Sequence, residues 1–112
     1  MQFLLGQWLI RPEMDSIVCE GQACHVSPKA MEVLLCLARH PGEVVGKDEI
    51  FKEVWQETFV SDDSLIRCVG ELRRAFQDGV HEPTVIRTIA KRGYLLLLPV
   101  VWNEGDVRPS LS

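Results

Sequence analysis

The segment spanning residues 61–76 constrains the fold most, because its apolar and charged residues separate onto two sides of a helix. Ser61 is its predicted N-cap, and two aspartates in the first turn suit the positive end of the helix dipole. At about 100° per residue, one narrow arc must face a core, and it consists of Leu65, Val69, Leu72 and Phe76. The outward side then consists of Asp63, Arg67, Gly70, Glu71 and Arg74, with Ser64, Ile66 and Arg73 on its flanks.

Two further helices are predicted upstream. Ser27 and Pro28 provide an N-cap and a first-turn proline for the first helix, whose apolar residues recur at helical spacing until residues 40–42 end it. A shorter helix is predicted from about Lys47 to Trp55, with apolar residues one turn apart on one side. We expect the first helix to be mostly buried and the second to bury one side.

Residues 2–26 contain short apolar runs broken by glycine and proline, which predicts a small antiparallel sheet. Gly21 and Gln22 suit the centre of a two-residue hairpin turn, which would place Cys19 opposite Cys24. These cysteines are then either two half-buried small residues, or a redox pair or metal site that also uses His25.

A second hairpin is predicted after the third helix, from β-type runs at residues 85–89 and 94–98. Lys91 and Arg92 at its tip are adjacent cations that cannot be core residues, and Gly93 is expected to take a left-handed backbone angle. This order of elements predicts an α+β fold: a winged helix-turn-helix with an N-terminal antiparallel sheet, a three-helix core and a C-terminal β-hairpin wing.

The composition excludes several classes of protein. Twelve Lys and Arg against 16 Asp and Glu give a net charge of −4, which excludes a uniformly basic nucleic-acid binder but not a local basic patch. The longest uncharged stretch near the end of the chain, residues 94–102, is far shorter than the roughly 20 residues that cross a bilayer. Four scattered cysteines indicate reduced thiols in the cytoplasm. Without metal-ligand spacing among the histidines or a catalytic motif, we expect no enzyme, cofactor, metal or small-molecule substrate.

A helix-turn-helix followed by a hairpin suits double-stranded DNA. An α-helix fits the major groove and reads base edges through side chains on one polar face. The third helix offers such a face, and Lys91 and Arg92 at the hairpin tip can reach flanking phosphates or the minor groove. The pattern therefore predicts sequence-specific binding of double-stranded DNA.

Five segments, in order and in register, also resemble the OmpR/PhoB-type winged-helix DNA-binding domain over residues 3 to about 98. They are residues 27–45, 53–55, 60–65, 72–76 and 86–94, the last containing Ala90-Lys91-Arg92-Gly93-Tyr94. The sequence Met31-Glu32-Val33 and the absence of an upstream receiver domain make the chain most similar to the CadC-like branch. That branch implies a bacterial transcriptional regulator, with domain 1–98 followed by a linker or tail at 99–112. A missing C-terminal part would then anchor the full-length protein in the inner membrane.

The resemblance also implies functional positions. The recognition helix corresponds to residues 61–76 and the wing to residues 85–98. The implied DNA-binding residues are Ser64, Arg67, Cys68, Glu71, Arg73, Arg74, Thr88, Lys91, Arg92 and Tyr94, and further phosphate-contacting positions match Trp55 and Asp63. A loop that meets RNA polymerase in the family matches Gln56, Glu57, Thr58, Phe59 and Val60.

Two carboxylates depart from the family's pattern. Asp63 would repel a phosphate and suits the helix dipole better, whereas Glu71 at a base edge would accept from cytosine N4. Within residues 61–94, six basic residues minus five acidic ones leave only +1. We therefore expect weak non-specific affinity and self-association of two copies on tandem half-sites. The alternative is a winged helix that binds a protein partner instead of DNA, and one continuous positive surface over helix and hairpin would favour DNA.

Overall fold

The computed structural model describes residues 2–56, 61–78 and 83–102. The N-terminal residues form the predicted antiparallel meander, interrupted by a 3-10 turn at Pro12–Met14. Its strands are β1 (Phe3–Leu5), β2 (Trp8–Arg11), β3 (Ser16–Cys19) and β4 (Gln22–His25).

The β3–β4 turn lies one residue earlier than predicted. It is centred on Glu20 and Gly21, whose φ values of 53° and 80° are those of a hairpin turn with two left-handed residues. Cys19 therefore lies opposite Gln22, and Cys24 lies opposite Ile17. The expected facing cysteine pair is wrong in this register, and both thiols are free.

Three helical segments follow the sheet, as predicted. Helix α1 covers Pro28–Ala38, and the Ser27 Oγ caps it by accepting from the Ala30 N–H at 3.2 Å. After strand β5 (Val44–Gly46), helix α2 covers Lys47–Ile50 and continues as a π-helical turn over Phe51–Trp55. Helix α3 covers Asp62–Phe76. Helices α1 and α3 pack against each other.

The C-terminal hairpin consists of β6 (Ile86–Ile89) and β7 (Gly93–Leu96). Strand β5 pairs with β7, so the wing is a three-stranded antiparallel sheet in the order β5-β7-β6. The left-handed residue at the tip is Lys91, with φ 64°, and not Gly93 as predicted. Gly93 is required for a different reason: a Cβ there would lie 1.9 Å from the carbonyl oxygen of Val45.

The folded domain extends past the predicted boundary at residue 98. Strand β8 (Val100–Trp102) pairs with β1, and the first sheet therefore has five strands in the order β4-β3-β2-β1-β8. Trp102 packs on Phe3 with ring centroids 4.5 Å apart, which holds the end of β8 against the core. The rest of the predicted tail, from residue 103 onward, lies outside the described residues.

The core lies between the inner face of the five-stranded sheet, the helices and the wing. All four residues of the predicted α3 core arc are buried: Leu65, Val69, Leu72 and Phe76. Trp8 from β2 meets Phe76 edge-on at 5.2 Å, which seats the end of α3 on the sheet. These features confirm the winged helix-turn-helix architecture. No helix in the described ranges has the length and apolarity of a membrane span.

Candidate nucleic-acid interface

Helix α3 exposes one side to solvent, and hydrogen bonds define where the helix begins and ends. At the N-terminus Ser61 is extended, and its carbonyl, rather than its hydroxyl, accepts from the Ser64 N–H at 3.1 Å. At the C-terminus Gln77 is left-handed, and the Asp78 N–H donates back to the Arg73 carbonyl at 2.8 Å. The exposed side chains between these ends are Asp62, Asp63, Ile66, Arg67 and Arg74.

Four cations are exposed on α3 and at the tip of the wing. They are Arg67, Arg74, Lys91 and Arg92. In the part of the chain that the structure describes, none of these side chains has a hydrogen-bond or ion-pair partner. Because nothing in the described fold neutralises them, their charges are available to an anionic ligand.

Arg73 joins the flank of α3 to the wing. Its Nη2 donates to the Ile86 carbonyl at 3.1 Å and to the Thr88 Oγ1 at 2.8 Å. The side chain is half-buried, and its Nε is buried without a partner among the described residues. Arg73 and Thr88 were both predicted to contact DNA, and the structure pairs them with each other.

Asp78 holds the other side of the same junction. Its carboxylate accepts from the Thr84 N–H and Oγ1, at 2.6 and 2.9 Å, and from the N–H groups of Val85 and Ile86, at 3.1 and 3.0 Å. Partial burial alone would raise the pKa of Asp78, but the hydrogen bonds from Ile86, Thr84 and Val85 hold it below its ordinary value. This carboxylate therefore fixes where the wing begins relative to the end of α3.

The start of α3 and the wing tip are also brought together, through Lys47. Its Nζ lies 3.6 Å from the Asp62 carboxylate, and its backbone N–H donates to the Arg92 carbonyl at 3.2 Å. Tyr94 is buried beside these groups. Burial raises the pKa of its hydroxyl above the ordinary value, although the nearby charges of Arg73 and Lys47 oppose this shift. Lys47 thus joins the first turn of α3 to the wing tip.

The carboxylate of Glu71, predicted to read a base edge, is hydrogen-bonded by Ser27. Its Oε2 accepts from the Ser27 N–H at 2.7 Å, and its Oε1 accepts from the Ser27 hydroxyl at 2.9 Å. A carboxylate at the N-terminus of α1 satisfies an N–H group that the helix leaves open and interacts favourably with the helix dipole. Both oxygens of Glu71 are engaged in holding α3 against α1.

Three other predicted positions lie in the core. Cys68 and Tyr94 are each 7% exposed, and burial raises the pKa of the Cys68 thiol. Trp55 is also buried, with the Lys29 ammonium 5.8 Å from its ring centroid. Of the predicted polymerase loop, Gln56 is exposed, and Glu57, Thr58, Phe59 and Val60 lie outside the described residues.

Sequence reasoning missed Lys47 and Asp78 as parts of this region. Asp78 follows directly after α3, and the hydroxyl of Thr84, six residues later, was a usable signal for a side-chain contact between the two. Lys47 gave no signal, because its partners Asp62 and Arg92 are distant in sequence. Within the described ranges, no group of three or more His, Cys, Asp or Glu side chains is arranged to hold a metal.

Comparison with known proteins assigns the fold and the family. Residues 21–96, more than half of the chain, match the family described as "Transcriptional regulatory protein, C terminal". The transcriptional activator CadC of Escherichia coli is 33% identical over 106 residues, which cover 91% of this chain and 21% of CadC. The chain therefore spans about a fifth of the length of that relative.

Two solved structures are similar over nearly the whole chain. The DNA-binding domain of E. coli CadC has a TM-score of 0.81 and 31% identity, and the match covers 90% of this chain and 95% of that one. The Klebsiella pneumoniae RstA DNA-binding domain, solved in complex with the RstA box, has a TM-score of 0.75 and 26% identity, covering 86% and 96%. With its sheets, three helices and wing in the same arrangement, this chain belongs to the OmpR/PhoB-type family of winged-helix DNA-binding domains from transcriptional regulators.

Proposed function

We propose that this chain binds double-stranded DNA sequence-specifically, as the DNA-binding domain of a bacterial transcriptional regulator. Helix α3 lies in the major groove, and the hairpin 85–98 acts as the wing. The observation that carries this proposal is a set of exposed cations on α3 and at the wing tip that have no hydrogen-bond or ion-pair partner among the described residues: Arg67, Arg74, Lys91 and Arg92. An exposed guanidinium on a major-groove helix can donate two hydrogen bonds to the O6 and N7 of guanine.

The roles within this surface follow from exposure and from existing contacts. Arg67 and Arg74 are exposed and have no hydrogen-bond or ion-pair partner among the described residues, so we assign base reading to them. We assign the same role to Ser64, which is half-buried near the start of the helix. Lys91 and Arg92, at the end of a hairpin, are assigned to phosphates. We leave Cys68, Glu71 and Tyr94 out of the contacting set, because the first and last are buried and Glu71 is engaged by Ser27.

Arg73 and Thr88 are positioning residues in this proposal. Their hydrogen bond sets the angle between the groove-binding helix and the wing, so the two parts of the surface can engage one duplex together. Asp78 fixes the same junction through the first residues of the wing. DNA binding then requires no catalytic step and no cofactor.

Two partners of the larger assembly are also part of the proposal. The net charge of +1 over residues 61–94 supplies little non-specific attraction, so two copies on adjacent half-sites would be needed for tight binding. Residues 56–60, which lie between the second and third helices in the sequence, are proposed to contact RNA polymerase. We place this activity in the cytoplasm, where such a regulator meets the chromosome.

The test is selection of bound duplexes from a random DNA pool by the purified chain, followed by affinity measurements at several salt concentrations. We expect one preferred sequence and an affinity for it that falls as salt rises, because neutralised phosphates release counterions. The result against the proposal is recovery of no common sequence, with equal and negligible affinity for all duplexes. That outcome would favour the protein-binding module, for which the overall charge of −4 is the supporting observation.

A further inference from the structure

One apolar side chain stands among the cations of α3. Ile66 is 57% exposed, whereas the other large aliphatic and aromatic side chains of α3, every residue of which the structure describes, are buried. Isolated exposed apolar residues are common on protein surfaces and need no explanation by themselves. The position of Ile66 is what carries the inference, because it lies on the side of the helix that faces the proposed DNA.

The surroundings of Ile66 form a shallow depression rather than a flat surface. Ile66, Gly70 and Arg74 follow one another at i, i+4 and i+8 along a single row of the helix. With Val69, Arg73 and Tyr94 they line a concavity of about 350 Å³. Gly70 places no side chain in this depression, and a Cβ built there would have as its nearest atom the Arg74 Nη1, at 3.9 Å.

The Arg74 guanidinium lies over Gly70, because its Nη1 is 3.9 Å from a Cβ built at that residue. Gly70 is about one helical turn from Ile66. The four-residue step from Ile66 to Gly70 rises about 6 Å along the helix axis, close to two base-pair steps of about 3.4 Å. A base read by Arg74 and a base touched by Ile66 would therefore be about one or two base pairs apart.

The chemistry of the groove identifies what an isoleucine can recognise there. The major-groove edges of the four base pairs present hydrogen-bond donors and acceptors, and thymine alone adds an apolar group, its C5-methyl. An isoleucine side chain buries that methyl without leaving a donor or acceptor unpaired. Opposite cytosine or adenine, it would cover an amino group that it cannot bond. The β-branched side chain is also stiff about χ1, which fixes where the methyl contact must be made.

We infer that Ile66 is a specificity-determining residue that reads one thymine per half-site through its 5-methyl group. The thymine lies about one or two base pairs from the guanine contacted by Arg74. This inference rests on the proposed DNA binding and adds to it the identity of one base and the chemical group by which that base is distinguished.

The experiment removes the methyl group from the DNA and the side chain from the protein, separately and together. Each thymine of the selected site is replaced in turn by deoxyuridine, which differs only in lacking the methyl. Wild-type protein should bind about fourfold more weakly when one particular thymine is replaced, as expected for one lost apolar contact. Ile66→Ala should bind the thymine and deoxyuridine duplexes equally at that position, and Ile66→Val should retain most of the discrimination.

A matched control is Leu4→Ala, which truncates another exposed aliphatic side chain, 44% exposed, on the N-terminal sheet. It should keep the wild-type preference for thymine. If Ile66→Ala selects the same site and still discriminates thymine from deoxyuridine as the wild type does, Ile66 does not read the methyl. The DNA-binding proposal would survive that result. If wild-type protein selects no sequence at all, both the proposed function and this inference are overturned.

Discussion

Helix α3 carries two sets of charged side chains of the same types, one exposed to solvent and one bonded to other elements of the fold. Arg67 and Arg74 are exposed and without partners in the described part of the chain, whereas Arg73 is bonded to the Ile86 carbonyl and to Thr88. Asp63 is likewise exposed, whereas Glu71 is held by Ser27. Residue type and helical position alone therefore do not separate the charges left exposed in the described fold from the charges that hold the fold together. What separates the two sets is a hydrogen-bond partner from another element, which Arg73 and Glu71 have.

The largest effect is expected from the anchor at the end of α3. The carboxylate of Asp78 accepts hydrogen bonds from Thr84, Val85 and Ile86. Asp78→Asn replaces it with an amide, whose NH₂ group is a donor and cannot accept them. We expect the free energy of unfolding to fall by about 3 kcal/mol, because several donors to a charged acceptor lose their partner. Urea unfolding measures this, and Asp63→Asn, an exposed aspartate of the same helix, should change stability by only a few tenths.

The pH dependence of the same anchor has a definite sign. The pKa of Asp78 is lowered in the folded protein, so its stabilising contribution is present above the ordinary aspartate pKa and is lost as the pH falls through the folded-state value. The stability difference between wild type and Asp78→Asn should therefore shrink on going from about pH 6 to about pH 3. A difference that stays constant over this range would mean that the charge of Asp78 does not stabilise the wing.

The next effect concerns the outward side. Arg67→Ala and Arg74→Ala should each weaken binding to the selected duplex by about 2 kcal/mol and relax the preference at one base, since each removes a base-edge contact. Stability should change by less than about 0.5 kcal/mol, because neither side chain has a partner in the described fold. Competition between selected and scrambled duplexes measures both quantities. Arg11→Ala, an exposed arginine of β2, is the control. Equal losses on both duplexes would show that these arginines do not read bases.

The elements of this fold were predictable because their signals are local. The apolar arc of α3 repeats every three or four residues, and Leu65, Val69 and Leu72 are buried as that period requires. Strand β8 has only three residues and forms by pairing with β1, about 97 positions earlier, so no local pattern marks it.

The functions of single residues in the candidate site were harder to predict, because several physical demands select the same residue. Glycine at position 93 fits both a left-handed turn and a close approach of two strands, and the structure uses it for the second, against Val45. Glu71 lies on the outward half of the helical wheel, yet its partner Ser27 is 44 residues away in the sequence. Periodicity identified the surface but not which of its members were already engaged.

A smaller effect tests the role of Glu71 directly. Glu71→Ala should lower the free energy of unfolding by about 1 kcal/mol, because the half-buried Ser27 N–H loses its acceptor. The base preference found by selection should not change. Glu32→Ala, which removes an exposed glutamate from α1, provides the matched comparison for stability. A changed preference for cytosine, with stability intact, would instead return Glu71 to the base-reading set.

The smallest effect is expected at the wing tip, and it concerns salt rather than sequence. Lys91→Ala and Arg92→Ala should weaken binding to selected and scrambled duplexes by the same factor, because a phosphate contact carries no base information. Each should reduce the slope of log affinity against log salt by about 0.9, the amount for one neutralised phosphate. Arg87→Ala is the matched control: it removes the same charge from the same hairpin, but Arg87 adjoins Thr88 in β6 and so lies on the opposite face of the sheet from α3. An equal loss of slope in Arg87→Ala would mean that the wing acts through its overall charge. A loss confined to residues 91 and 92 would place the duplex at the wing tip.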